Sequence, residues 1–149
     1  MTASYVNANA AELLLVEVGD GASPENFAWP ILINQNRQLD MTANATATVV
    51  PRTDNASAPG KTVRRVTDTD SKISGTGITN AGDDLNYANW LLSGVAKNCR
   101  VSNAITGGLV LLGPYVLTAF SNVGAKVGDM QTCSVTFEQA DQPAATAHA

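Results

Sequence analysis

The stretch from Gly108 to Gln139 constrains this chain more than any other. It opens on an apolar run rich in Leu, Val, Tyr and Phe, broken by Gly113-Pro114. It closes on Thr132 to Glu138, where Thr132, Ser134 and Thr136 alternate with Cys133, Val135 and Phe137. Successive side chains of a strand point to opposite faces, so a period of two specifies a half-buried strand. Between the halves, Gly124 and Gly128 supply turn freedom. The pattern predicts a long β-hairpin, apolar on one face and hydroxyl-bearing on the other. Gly113-Pro114 is expected as a bulge or edge break.

The rest of the chain extends this β character. Glu12 to Val18 reads as a first strand, and Trp29 to Leu39 as a second, kinked at Asn34-Gln35-Asn36. Met41 to Val50 alternates Thr or Asn with Ala and gives a third. Its small-residue face suits either close approach to another surface or plain solvation. Ile73 to Thr79 is a fourth strand whose Gly75 and Gly77 leave one face bare for close packing. Lys97 to Ile105 is another. One helix is specified. Thr79-Asn80 serve as its N-cap, Asp83 and Asp84 complement its dipole, Leu85, Ala88 and Leu92 form an apolar stripe, and Gly94 ends it. Trp29 and Trp90 read as core.

Three segments fall outside the strand pattern. Residues 1–11 form a small, polar N-terminal arm, and residues 141–149 a polar C-terminal tail. Residues 51–70 lack apolar periodicity and carry Arg52, Lys61, Arg64 and Arg65 around Pro59-Gly60. A long loop in a compact domain is functional or disordered. This one is either a projecting loop that touches a neighbouring subunit through its basic residues, or a flexible solvated segment. The 149 residues predict one domain, mainly β: a β-sandwich or partly closed barrel with one flanking α-helix and a long projecting loop.

Chemistry is sparse. Pro59-Gly60-Lys61-Thr62 resembles the end of a phosphate loop, but position 55 is Asn55 where that motif needs glycine. Gly75-Thr76-Gly77 lacks the third glycine of a dinucleotide fingerprint. Asp68-Thr69-Asp70 has no calcium-loop continuation. Two cysteines and the single His148 do not compose a zinc site, and a buried free thiol behaves as a small apolar residue. A catalytic triad would have to recruit His148 from the tail. The reading is therefore of a non-enzyme with no cofactor and no metal. A net charge of −4 argues against a dedicated nucleic-acid binder. Glycines and Pro114 punctuate the longest apolar run, so no membrane span is expected. The N-terminus lacks the basic start of a signal peptide, which predicts use without secretion. Charged residues are only 15%, which suits a surface covered largely by copies of itself.

The order of Ile73-Ser74-Gly75-Thr76-Gly77-Ile78, a helix, Gly94, then Gly113-Pro114-Tyr115-Val116-Leu117-Thr118 and Gly128-Asp129-Met130-Gln131-Thr132-Cys133-Ser134-Val135 resembles the major tail tube proteins of long-tailed (siphovirus-type) bacteriophages. The type shared with gene transfer agents is the most similar. The similarity covers roughly residues 10 to 140. Where that family often carries a tryptophan at the start of its long loop, this chain has Val50-Pro51-Arg52-Thr53. The resemblance implies a structural subunit that self-assembles into stacked, hexameric rings. Their lumen would conduct DNA during ejection without specific binding. It also implies partners among other tail proteins (tape measure, tail terminator and distal tail), a place in the virion tail and assembly in the bacterial host cytoplasm. Arg52, Lys61, Arg64 and Arg65 become candidate contacts between subunits. The polar face Thr132, Ser134 and Thr136 is a candidate for the lumen, with simple solvent exposure as its alternative. Two other readings stand beside this one: a head-tail joining or capsid decoration protein, and a carbohydrate-binding β-sandwich module.

Overall fold

A computed structural model describes residues 3–6, 8–28 and 33–149. Trp29, expected in the core, and the start of the second expected strand lie outside the described residues. The strands are β1 (Leu14–Gly19), β2 (Phe27–Ala28), β3 (Gln35–Val50) and β4 (Lys61–Ile78). After the helix α1 (Asp83–Ser93) come β5 (Lys97–Asn103), β6 (Leu109–Val123), β7 (Thr132–Gln139) and β8 (Ala144–Ala147). All pair antiparallel in one sheet of order β2-β1-β5-β6-β7-β4-β3, with β8 added alongside β6. The sheet is not closed. Arg37 on β3 donates to the Ala11 carbonyl ahead of β1 at 3.3 Å, reaching across the open side. Of the expected forms, this is the partly closed barrel.

The hairpin expected between Gly108 and Gln139 is β6–β7, and its alternation sets the core. Cys133, Val135 and Phe137 are buried, and so are Leu111, Tyr115 and Leu117 on β6. The break falls elsewhere than expected. Gly113 and Pro114 stay in register with Cys99 and Asn98, and the bulge sits between Leu117 and Ala119. Glycine is needed at 113 for another reason: a Cβ there would come within 2.6 Å of the Pro143 ring. Gly75 is bare for the reason expected, since a Cβ would collide with the buried Ile33.

Helix α1 caps this core, and here the expected apolar stripe is corrected. Its C-terminal end is as read, since Gly94 closes the helix at φ 69°. The N-cap is Gly82 rather than Thr79-Asn80, because the chain turns through a positive-φ glycine there, and Asn80 instead donates to the Asp83 side chain at 2.6 Å. The buried residues, however, are Tyr87 and Trp90, while Leu85 is 62% and Leu92 81% exposed. Tyr87 stacks on Phe120 and Phe137, and Trp90 lies 5.1 Å from Phe137 between ring centroids. Two aromatic rings bury more area than two leucines, so they take the core side. The leucine stripe turns outward.

The segment expected as a loop over 51–70 is also corrected. From Lys61 onward it is strand, running without interruption into the body of the sheet. Only residues 51–60 connect β3 to β4. The polar tail is likewise tied down: Ala144–Ala147 pair with Leu109–Leu112 as β8.

Candidate functional site: a projecting amphipathic arm and a hydroxyl face

β3 and β4 pair from Gln35–Thr76 out to Val50–Lys61, well beyond the body. Their distal halves, 41–50 and 61–70, are exposed along their whole length. At about 3.3 Å per residue this two-stranded arm projects some 30 Å. Its root is fixed by a polar chain that runs from the core to the surface. The Tyr115 hydroxyl bonds Ser71 Oγ at 2.7 Å, Ser71 donates to Gln139 Oε1 at 2.8 Å, and Gln139 Nε2 donates to the Thr69 carbonyl at 3.2 Å. Burial pushes the Tyr115 hydroxyl up from its ordinary pKa, which keeps it a donor. This chain ties β4, β6 and β7 together where the arm leaves the body, beside a bulge between Asn44 and Ala45 in the β3–β4 register.

Register assigns the arm's faces, because directly paired residues share a side. Val49–Thr62, Ala47–Arg64 and Ala45–Val66 lie on one face; past the bulge, Ala43–Thr69, Met41–Ser71 and Leu39–Ile73 continue it into the core. The other face holds Val50–Lys61, Thr48–Val63, Thr46–Arg65, Asn44–Asp68 and Thr42–Asp70. The arm is therefore amphipathic, and its Ala/Val/Met face continues the core face outward and stays exposed. Met41 is 57% exposed, Val49 68% and Val66 59%.

The four basic residues singled out in the sequence separate onto different surfaces. Arg52 pairs with Asp54 inside the connecting turn at 2.5 Å, which holds the Asp54 carboxyl below the usual carboxylate range. Lys61 and Arg65 lie on the polar face, and Arg64 alone shares the apolar one. Among the described residues, none of Lys61, Arg64 and Arg65 makes a salt bridge. Sequence periodicity missed the apolar face because Arg64-Arg65 and the bulge interrupt the alternation. The Ala positions of Met41 to Val50 carried the only signal.

Thr132, Ser134 and Thr136 stand together on the non-core face of β7, as their alternation requires. The register enlarges this patch. Thr136 pairs with Ser74 and Ala119, Ser134 with Thr76 and Ser121, and Thr132 with Ile78 and Val123. These three rows hold no charged residue. The next row brings Lys72 beside Glu138, and Asp40 beside Lys72.

A cleft of about 430 Å³ between β1 and α1 is lined by Asp20, Asn26, Asn86, Tyr87, Trp90 and Lys97, among others. Its aromatic walls are only 8% and 4% exposed, so they offer no ring face for a sugar to stack on. Among the described residues no group of three or more His, Cys, Asp and Glu gathers as a metal would need. No helix of the described residues is long and apolar enough to cross a membrane.

Neither a protein-family model nor a curated protein matches the chain. Solved structures do. A chain from the tail of an empty gene transfer agent particle, refined with C6 symmetry, superposes with a TM-score of 0.72 at 16% identity, covering 94% of this chain and 100% of that one. The SPP1 tail tube gives 0.63 at 8% identity, over 95% of this chain and 80% of that one. The sheath–tube complex of an extracellular contractile injection system gives 0.60 at 12% identity, over 95% and 93%. The fold is that of these tail and tube chains.

Proposed function

We propose that this chain is the structural subunit of a phage or phage-like tail tube, built from stacked hexameric rings. The observation that carries the reading is the shared fold, which extends over 94% of this chain and all of the gene transfer agent tail chain. The arm supports it by supplying what a stacking subunit needs: an extended apolar face that the described residues of its own chain leave exposed. A head-to-tail contact that closes by rotation makes a ring, and one that does not close propagates along an axis. The outer edge of β3, which pairs with no other strand among the described residues, offers a further place for strand addition.

The uncharged rows centred on Thr132, Ser134 and Thr136 face the lumen. A wall that bound phosphates would hold DNA through counterion release, whereas a hydroxyl wall on an acidic chain lets it pass. Arg64 makes contact between subunits on the apolar face of the arm, and Lys61 and Arg65 on its polar face. Arg52 shapes the turn through Asp54. The protein acts in the virion tail as a non-enzyme, assembles in the bacterial host cytoplasm, and meets the tape measure, terminator and distal tail proteins at the tube's core and ends.

Negative-stain electron microscopy of the purified protein at rising concentration tests this. Long hollow tubes with a regular axial repeat are the expected result. Monomers or isolated single rings at the highest concentration would count against the stacked tube, and single rings would favour a joining or decoration role.

A further inference from the structure

We infer that the apolar face of the arm docks on the outward stripe of α1 in a second copy of this chain. The inference rests on the tube reading and names the surface that receives the arm.

Helix α1 is apolar on two sides. Tyr87 and Trp90 face the core, and Leu85 and Leu92 stand two turns apart on the opposite side with Ala88 beside them. An apolar side of a helix is one that packs against something, and among the described residues only the Tyr87–Trp90 side of this helix is buried. The arm is the complementary case, a two-stranded ribbon with one uncovered apolar face. Such ribbons are marginal unless something packs on them.

The two surfaces fit in size and charge. Leu85 to Leu92 spans about 10 Å along the helix, and Ala45 to Val49 about 13 Å along the strand. Ala45 and Ala47 are small enough to let a ridge of leucines approach the ribbon closely. Arg64, opposite Ala47, makes no salt bridge among the described residues, and Asp84 flanks the first turn of the helix. Docking sets that cation against that carboxylate.

A single chain does not make this contact with itself. The α1 rings pack at Phe137, which pairs with Ile73, whereas Ala47 pairs with Arg64. Along the continuous β4 strand those two points are about 30 Å apart. Arm and stripe are different surfaces of one molecule, so their pairing is heterologous and repeats from copy to copy.

The test mixes two single-cysteine variants, Ala47→Cys and Asn89→Cys, under conditions where wild-type tubes form, and oxidises the mixture. Asn89 lies on the outward side of α1 and its replacement keeps both leucines. Cys99 and Cys133 are buried and do not compete. Ala47–Asn89 crosslinked dimers are expected on a non-reducing gel. They should exceed by about tenfold those from Thr48→Cys, which carries its thiol on the arm's other face, in the same mixture. Leu92→Lys should raise the concentration needed for tubes by roughly tenfold, as the loss of one buried leucine implies. Normal tubes with no crosslink above the Thr48→Cys control overturn this inference and leave the tube reading standing. Wild-type protein that never forms tubes overturns both.

Discussion

Strand β4 is two strands in one. From Ser71 to Gly77 every second residue is buried against the aromatic core. From Lys61 to Asp70 nothing is buried, although the paired residues still sort into an apolar and a polar face. Both halves pair with β3, but only Lys72–Ile78 also pairs with β7 along the other edge. The cover differs too: Ile73 in the first half is buried in one core cluster with Tyr87, Trp90 and Phe137, whereas every residue from Lys61 to Asp70 stays exposed. Periodicity in a strand thus reports that a face will be covered, without saying by which molecule.

Removing cover from the body should have the largest effect on the monomer. Phe137 is fully buried beneath Tyr87 and Trp90, and Phe137→Ala should cost about 3–5 kcal/mol, read as a fall in Tm of roughly 10 °C. A fall of only a degree or two would mean that the body is not the packed half.

The thiol of Cys99 probes the same cover by pH. Burial pushes it up to about 12, so the folded protein keeps the proton that the unfolded chain releases above about pH 9. Stability should decline as pH rises through that interval, because the unfolded state then binds fewer protons. Iodoacetamide at pH 8.5 should therefore label Cys99 only after denaturant is added, as mass spectrometry would detect.

At the boundary between the halves the effect should be smaller. Tyr115→Phe removes the donor to Ser71 while Ser71 keeps Gln139, and should cost about 1 kcal/mol by urea titration. Because that chain orients the arm's root, the variant should also assemble more slowly, as followed by light scattering.

In the arm, substitution should scarcely register on the monomer. Ala47→Glu, and the pair Arg64→Glu with Arg65→Glu, should each shift stability by no more than about 0.5 kcal/mol. Both should nevertheless abolish or shorten tubes. Normal-length tubes from either variant would erase the distinction between the two halves.

The sequence made the body legible because its cover is internal. Thr132 to Glu138 alternate cleanly, Asp83 and Gly94 mark helix ends, and Gly75 lies bare where Ile33 enters. The arm was harder to read for a physical reason. With no core contact its positions are free to be Ala, Thr or Arg, and the β3–β4 bulge shifts the phase in mid-strand. The helix stripe misled in a similar way: Leu85 and Leu92 keep the helical spacing of a core face yet stand exposed. β8 escaped notice because Ala144–Ala147 is short, and it is fixed by Pro143 packing on Gly113 and by pairing with β6. The hydroxyl rows were visible on β7 alone, since Ser74, Thr76 and Ser121 join them only through register.

Hydrogen exchange, compared between dilute monomer and concentrated assembly, tests the central claim most directly. Backbone amides of residues 42–50 and 61–70 should exchange quickly in the monomer, as a lone ribbon does, and slow by about tenfold or more on assembly. Those of β6 and β7 in the body should change little. Assembled particles whose arm amides exchange as fast as the monomer's would contradict the claim that another copy provides the arm's missing cover.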